Sequence, residues 1–125
     1  MTNILIVLNL IAYLTTALLS ANLVEMNTRV LVLCGALYGP LIFGYDEWWR
    51  LLSALFLHGG MTHLLMNMFS LYILGHSAQI YFEKRAFLAI YLFSGLIGAV
   101  ASLAVHPQSV GIGASGAIFG IFGAL

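Results

Sequence analysis

Long apolar stretches, rather than an alternation of apolar and polar positions, dominate the chain and set the elements it predicts. A helix rises 1.5 Å per residue, so crossing a hydrocarbon core of about 30 Å takes roughly 20 apolar residues. Ile4 to Leu23 reaches that length without a charge, interrupted only by mild polar groups such as Asn9, Thr15, Thr16 and Asn22. His63 to Phe82 sets Asn67, His76 and Gln79 in a background rich in Leu, Met, Phe and Tyr, a span with a polar side. Ala86 to Val105 is uncharged, and its Gly95, Gly98, Ala99 and Ser102 place small residues at helical spacing, where a neighbouring helix can approach closely. The pattern predicts spans at about 4–23, 63–82 and 86–105.

The segment between the first two spans, about 30–62, behaves differently. Its apolar run to Tyr45 is broken by Gly35, Gly39, Pro40 and Gly44, and such backbone survives at membrane depth only where protein or water satisfies its hydrogen bonds. A structured interfacial loop is expected there, anchored at headgroup level by Trp48, Trp49 and Arg50. Residues 113–125 are helical in character but rise only about 20 Å, which would leave a free carboxylate inside hydrocarbon, so the chain is expected to be the front part of a longer one. Arg29 and Arg50 on one connection balance Lys84 and Arg85 on the other; the directness with which Lys84 and Arg85 abut their spans places them in the cytoplasm. No repeat or linker divides the chain, which reads as one all-α, polytopic membrane domain.

Composition sharpens this picture. The chain is 62% hydrophobic and 6% charged, against about 25% charged in an ordinary soluble domain. Four Lys or Arg against four Asp or Glu leave no basic surface for nucleic acid, so the lipid bilayer is the expected surrounding. Cys34 stands alone, with no second Cys for a disulfide or a CxxC site. Met1-Thr2-Asn3 lacks the basic residues that open a secretory signal, so the first apolar stretch reads as a retained span.

The polar residues gain meaning from topology. Two crossings separate His63 from Gly113, so the starts of the second and fourth spans lie on one side of the membrane. His63 and Asn67, four residues apart, share a helix face, and Ser115 heads the fourth span at a similar depth. Each has a plain alternative: a Ser bonded back to its own helix, an Asn joining helices, a His at a helix start. Together at matched depth, an imidazole, an amide and a hydroxyl point to function. Gly113-Ala114-Ser115-Gly116 surrounds the hydroxyl with residues lacking bulk, so a substrate backbone could approach while helix-start amides face a developing oxyanion. Gly116, Gly120 and Ala124 form a small-xxx-small row for central packing.

Other motifs fall away. Gly111 to Gly116 fits GxGxxG, but a membrane span precedes it where a strand is required. GxSxG fails because Ala117 stands where Gly is needed. His58 and His63 lack further ligands for a metal.

Three blocks, in order, resemble the rhomboid intramembrane serine proteases: Glu47-Trp48-Trp49-Arg50, His58 through His63-Leu64-Leu65-Met66-Asn67, and Gly113-Ala114-Ser115-Gly116. The resemblance runs from about Gly35 to the end and implies a six-helix core, with a water-filled active site open to the extracytoplasmic side. It implies that Ser115 attacks the scissile carbonyl in a transmembrane protein substrate, while Asn67, His63 and the Ser115 amide hold the oxyanion. Gly113 and Gly116 would flank the nucleophile; His58, Trp49 and Arg50 would brace the loop that screens the cavity from lipid. No metal and no cofactor is implied.

The family's general base, a His on the sixth span, matches none of His58, His63, His76 or His106. The chain alone is therefore expected to be inactive until complementing C-terminal helices are supplied. Gln79 stands where many members carry Glu, and Phe119, one turn below the Ser, where some have Tyr. The expected location is the plasma (inner) membrane of a bacterium. The rival readings are a non-catalytic rhomboid-like module that binds transmembrane helices, and a transporter or channel fragment. The latter lacks the intramembrane carboxylate such a pathway would show.

Overall fold

A computed structural model describes every residue from Met1 to Leu125 and is helical throughout, without a strand. Three long helices, α1 (Thr2–Ser20), α5 (Met61–Tyr81) and α6 (Lys84–Val105), coincide with the three apolar windows, and each begins two residues ahead of its window. The extra residues, such as Lys84 and Arg85, are polar first-turn positions that apolar counting omits. α1 also ends earlier than Leu23: Ala21 turns left-handed at φ 50°, and the Asn22 side chain then accepts from the Val24 and Glu25 amides at 2.8 and 3.2 Å. α1 and α6 are long and apolar enough to cross a membrane. α5 has the length, a rise of about 30 Å, though polar residues dilute its hydropathy.

The outward faces explain the solvent. α1 exposes Ile4, Val7, Leu8, Ile11, Leu14 and Leu18, while it buries Thr2, Asn9, Tyr13 and Thr16 against the bundle. An apolar face of this extent suits surroundings of hydrocarbon.

The segment between α1 and α5 folds into three short helices, α2 (Thr28–Leu33), α3 (Gly39–Tyr45) and α4 (Arg50–Ser53), followed by a 3-10 turn, Ala54–Phe56. None is long enough to cross a bilayer, as the broken apolar run implied. Asn27 caps α2, accepting from the Arg29 amide at 2.9 Å, and Pro40 stands in the first turn of α3. Arg50 organises the segment. Its guanidinium, only 4% exposed, donates to the Val32 and Ala36 carbonyls at 2.6 and 3.0 Å and to Glu47 at 2.6 Å, and lies 4.7 Å over the Trp49 ring. Gly35, at φ +107°, makes the turn after α2: a Cβ there would stand 2.5 Å from both Ser53 Oγ and Trp49 Cζ3. Trp48 and Trp49 are about half exposed.

α7 (Ser115–Ala124) closes the bundle, packing most extensively on α6 and also on α5. Small residues permit this: Gly116 and Gly98 meet backbone to backbone, and Gly120 lies directly over Ser94. Ala124, expected in the same row, is exposed, so only the first two members pack. The main core joins Leu5 and Tyr13 of α1, Leu64 and Leu71 of α5, Phe87 and Tyr91 of α6 and Ala117, Ile118 and Ile121 of α7. A second cluster, Leu37, Ile42, Ala54, Ala99 and Leu103, seats the interfacial segment on α6.

Candidate active site

Gly113 decides where α7 begins. It adopts φ +114°, and its amide donates to the Ala54 carbonyl at 2.9 Å, so the chain turns sharply and the helix starts at Ser115, two residues past the expected 113. Ala114 precedes it without a side-chain cap, leaving the first α7 amides, that of Ser115 among them, without an intrahelical partner. Ser115 itself is exposed, on a face of α7 shared with Phe119 and Phe122, which are 72% and 61% exposed.

The start of α5 meets this turn. The half-buried His63 ring lies against Gly113 so closely that a Cβ on Gly113 would stand 2.9 Å from Nε2. The structure thus brings His63 to the residues leading into Ser115. Asn67, 7% exposed, follows one turn later, and its Nδ2 donates to the His63 carbonyl at 2.9 Å. One amide hydrogen of Asn67 is spent on its own helix and the other remains available.

His58 lies behind His63, their ring centroids 5.1 Å apart at 64°. It is fully buried and neither ring nitrogen closes a hydrogen bond. Burial lowers its pKa to about 4, the neighbouring His63 adds to the effect, and the nearby Phe56 backbone opposes it. His58 is therefore neutral at pH 7. A cavity of about 190 Å³ opens beside the hydroxyl, bordered by Ser115, Gly116, Gly95, Gly98, Ala54 and Ser102.

The remaining histidines are elsewhere. His76 is exposed on α5, its Nδ1 2.7 Å from the Tyr72 carbonyl, and His106 is exposed at the end of α6. Neither hydrogen-bonds to Ser115. Trp49 and Arg50 are in the interfacial segment described above, away from the hydroxyl. Gln79 joins the far ends of α5 and α1, donating to Thr2 Oγ1 at 2.8 Å. Sequence reasoning missed the Ala54 carbonyl and the pairing of Leu37 with Gly111, both main-chain contacts without a side-chain signature. No group of His, Cys, Asp or Glu is arranged to hold a metal.

The fold and this site define a polytopic, all-α membrane protein in which a helix-start serine stands beside a His–Asn turn. Residues 45–125 match the Rhomboid domain family. The chain is 43% identical over 108 residues to the Rhomboid protease GluP of Bacillus subtilis, covering 86% of this chain and 21% of that protein. It is 37% identical over 120 residues to the Rhomboid-like protease 3 of Toxoplasma gondii, covering 95% of this chain and 44% of the relative. A putative rhomboid protease of Bacillus subtilis, YdcA, is 44% identical over 78 residues, covering 62% of this chain and 39% of the relative. The chain belongs to the rhomboid family, and it spans less than half the length of these relatives.

Proposed function

We propose that the chain carries the nucleophile and oxyanion side of an intramembrane serine endopeptidase that cuts transmembrane segments of other membrane proteins. The observation that carries this is the packing of His63 on Gly113, which sets an imidazole beside the turn that presents an uncovered serine. Ser115 Oγ attacks the scissile carbonyl carbon and gives its proton to a histidine base, which completes a Ser-His dyad from a sixth span. The carbonyl oxygen becomes an oxyanion held by the Ser115 amide, His63 and the free Asn67 amide hydrogen. Collapse breaks the C–N bond as the base returns the proton to the leaving amine, and water then hydrolyses the acyl-enzyme by the same route. His58, Trp49 and Arg50 act through packing, with Gly113 and Gly116 clearing the space around the hydroxyl. Complementing C-terminal helices pack on the open Ser115, Phe119 and Phe122 face of α7. We place the protein in a bacterial plasma membrane: relatives at 43% and 44% identity are from Bacillus subtilis, while others are from Toxoplasma gondii and Arabidopsis thaliana.

The test is labelling by a fluorophosphonate in detergent, with and without a co-expressed segment supplying the later helices, and with Ser115→Ala as control. Labelling that needs both Ser115 and the added helices supports the reading. Absence of labelling in a folded, complemented complex refutes it and favours a module that binds transmembrane helices without cutting them.

A further inference from the structure

Two isolated antiparallel bridges join the interfacial segment to the rest of the fold: Glu25 pairs with Gly60, and Leu37 with Gly111. Gly60 immediately precedes α5, three residues before His63, and Gly111 lies four residues before Ser115. At the first bridge the Met26 amide donates to the Gly59 carbonyl and the Met61 amide to the Val24 carbonyl, both at 2.9 Å. At the second, Leu37 and Gly111 exchange both amide–carbonyl bonds, also at 2.9 Å. The lead-ins to the two halves of the site are thus held by opposite ends of a single stretch, Glu25–Leu37.

That stretch is built to transmit position. α2 fills its middle, capped in front by Asn27, and Leu31 is buried in the main core. Behind α2, Arg50 clamps the Val32 and Ala36 carbonyls, Ser53 Oγ donates to the Gly35 carbonyl at 2.7 Å, and the Ala36 amide donates to the Leu31 carbonyl at 2.9 Å. Ala36, where Arg50 ends its grip, is next to the bridging Leu37. The Gly39 amide adds a tie to the Pro107 carbonyl at 2.9 Å on the α7 side.

Resting on the assignment of Ser115 as nucleophile and His63 as oxyanion donor, we infer that Glu25–Leu37 is a positioning strap that fixes the separation between the two. The site has direct contacts of its own, the His63 ring on Gly113 and the Gly113 amide on the Ala54 carbonyl, and the strap adds a tie between the two loops that lead into α5 and α7. Arg50 then acts on Ser115 through Ala36, Leu37 and Gly111, beyond bracing the loop against lipid.

The strap makes its two ends interdependent, which purely local bridges would not be. Met26→Pro removes the amide that bonds Gly59, and Leu37→Pro the amide that bonds Gly111; Met26→Ala and Leu37→Ala keep both amides while trimming the side chains. Hydrogen exchange on the folded chain in detergent is read at 107–113, the far end from Met26. The expected result is exchange there about tenfold faster in Met26→Pro than in Met26→Ala. Equal exchange in the two overturns the strap. If Met26→Pro does not fold, Asn27→Ala loosens the strap from within and is read in the same way. In the complemented protein, fluorophosphonate labelling per folded molecule is expected to fall at least about tenfold in both proline variants and little in the alanine variants. A loss that only follows the folded fraction overturns the positioning role. Absent labelling in the unmodified protein would sink the protease reading instead, and the exchange comparison still decides whether the ends are coupled.

Discussion

Gly120→Ala tests the packing that holds the serine-bearing helix in place. A methyl group built on Gly120 would overlap both Oγ and Cβ of Ser94. Ser94 cannot turn aside: its Oγ is tied to the Ile90 carbonyl at 2.5 Å, and its Cβ moves only with the α6 backbone. α7 must therefore lift off α6 along the seam where Gly116 meets Gly98. In an isolated helix the exchange of Gly for Ala would stabilise by about 1 kcal/mol. Overpacking typically costs about 1–3 kcal/mol, and overlap with an immovable Cβ belongs at the upper end, leaving a net loss of about 2 kcal/mol. Thermal unfolding in a mild detergent would compare the parent, Gly120→Ala, Ser94→Gly and the double variant, with Gly123→Ala as control because nothing lies within 4 Å of its added Cβ. Ser94→Gly removes both overlapping atoms, so the double variant should be more stable than Gly120→Ala, with a coupling of at least about 1 kcal/mol. Gly120→Ala matching Gly123→Ala, or additivity in the double variant, would refute the reasoning.

Three further outcomes follow from the site and its supports. Arg50→Lys should destabilise by roughly 2–4 kcal/mol in the same assay, because one ammonium cannot replace a guanidinium shared by two carbonyls and Glu47. Gly113→Ala should abolish fluorophosphonate labelling of the complemented protein, since φ +114° strains any Cβ and this one meets the His63 ring. His58 should make stability depend on pH: its folded pKa of about 4 lies below the ordinary 6.5, so the unfolded chain takes the proton first. The stabilisation is complete above about pH 6.5 and declines as pH falls toward 4, by up to about 3 kcal/mol. Denaturant unfolding at pH 7 and pH 5 checks this, with His58→Gln expected to flatten the profile.

The long helices were legible because a bilayer asks one thing of a segment, an apolar length near its own thickness, and residues 4–23, 63–82 and 86–105 answer it locally. The shared face of His63 and Asn67 was legible for the same reason, helical spacing being a local property. The interior of the interfacial segment was not. Arg50 reads from the sequence as a headgroup anchor, yet its guanidinium is buried and its acceptors are the carbonyls of Val32 and Ala36, which carry no residue-specific signal. The use of one Asn67 hydrogen on the His63 carbonyl was equally hidden, because whether an asparagine bonds its own helix depends on its rotamer. Gly113 was readable as a residue without bulk, but the ring that demands this comes from fifty residues upstream.

The ties that seat the start of α7 run between main-chain atoms: Leu37 with Gly111, Gly39 with Pro107, Gly113 with Ala54. A backbone amide donates equally well whatever its side chain, proline excepted. Gln108 and Ser109, exposed between Pro107 and the core-packed Val110, are thus released from specifying the geometry their backbone delivers. Substitutions there should be inherited freely, giving the outer rim of the site a surface that can diverge between lineages while the serine stays in register beneath it.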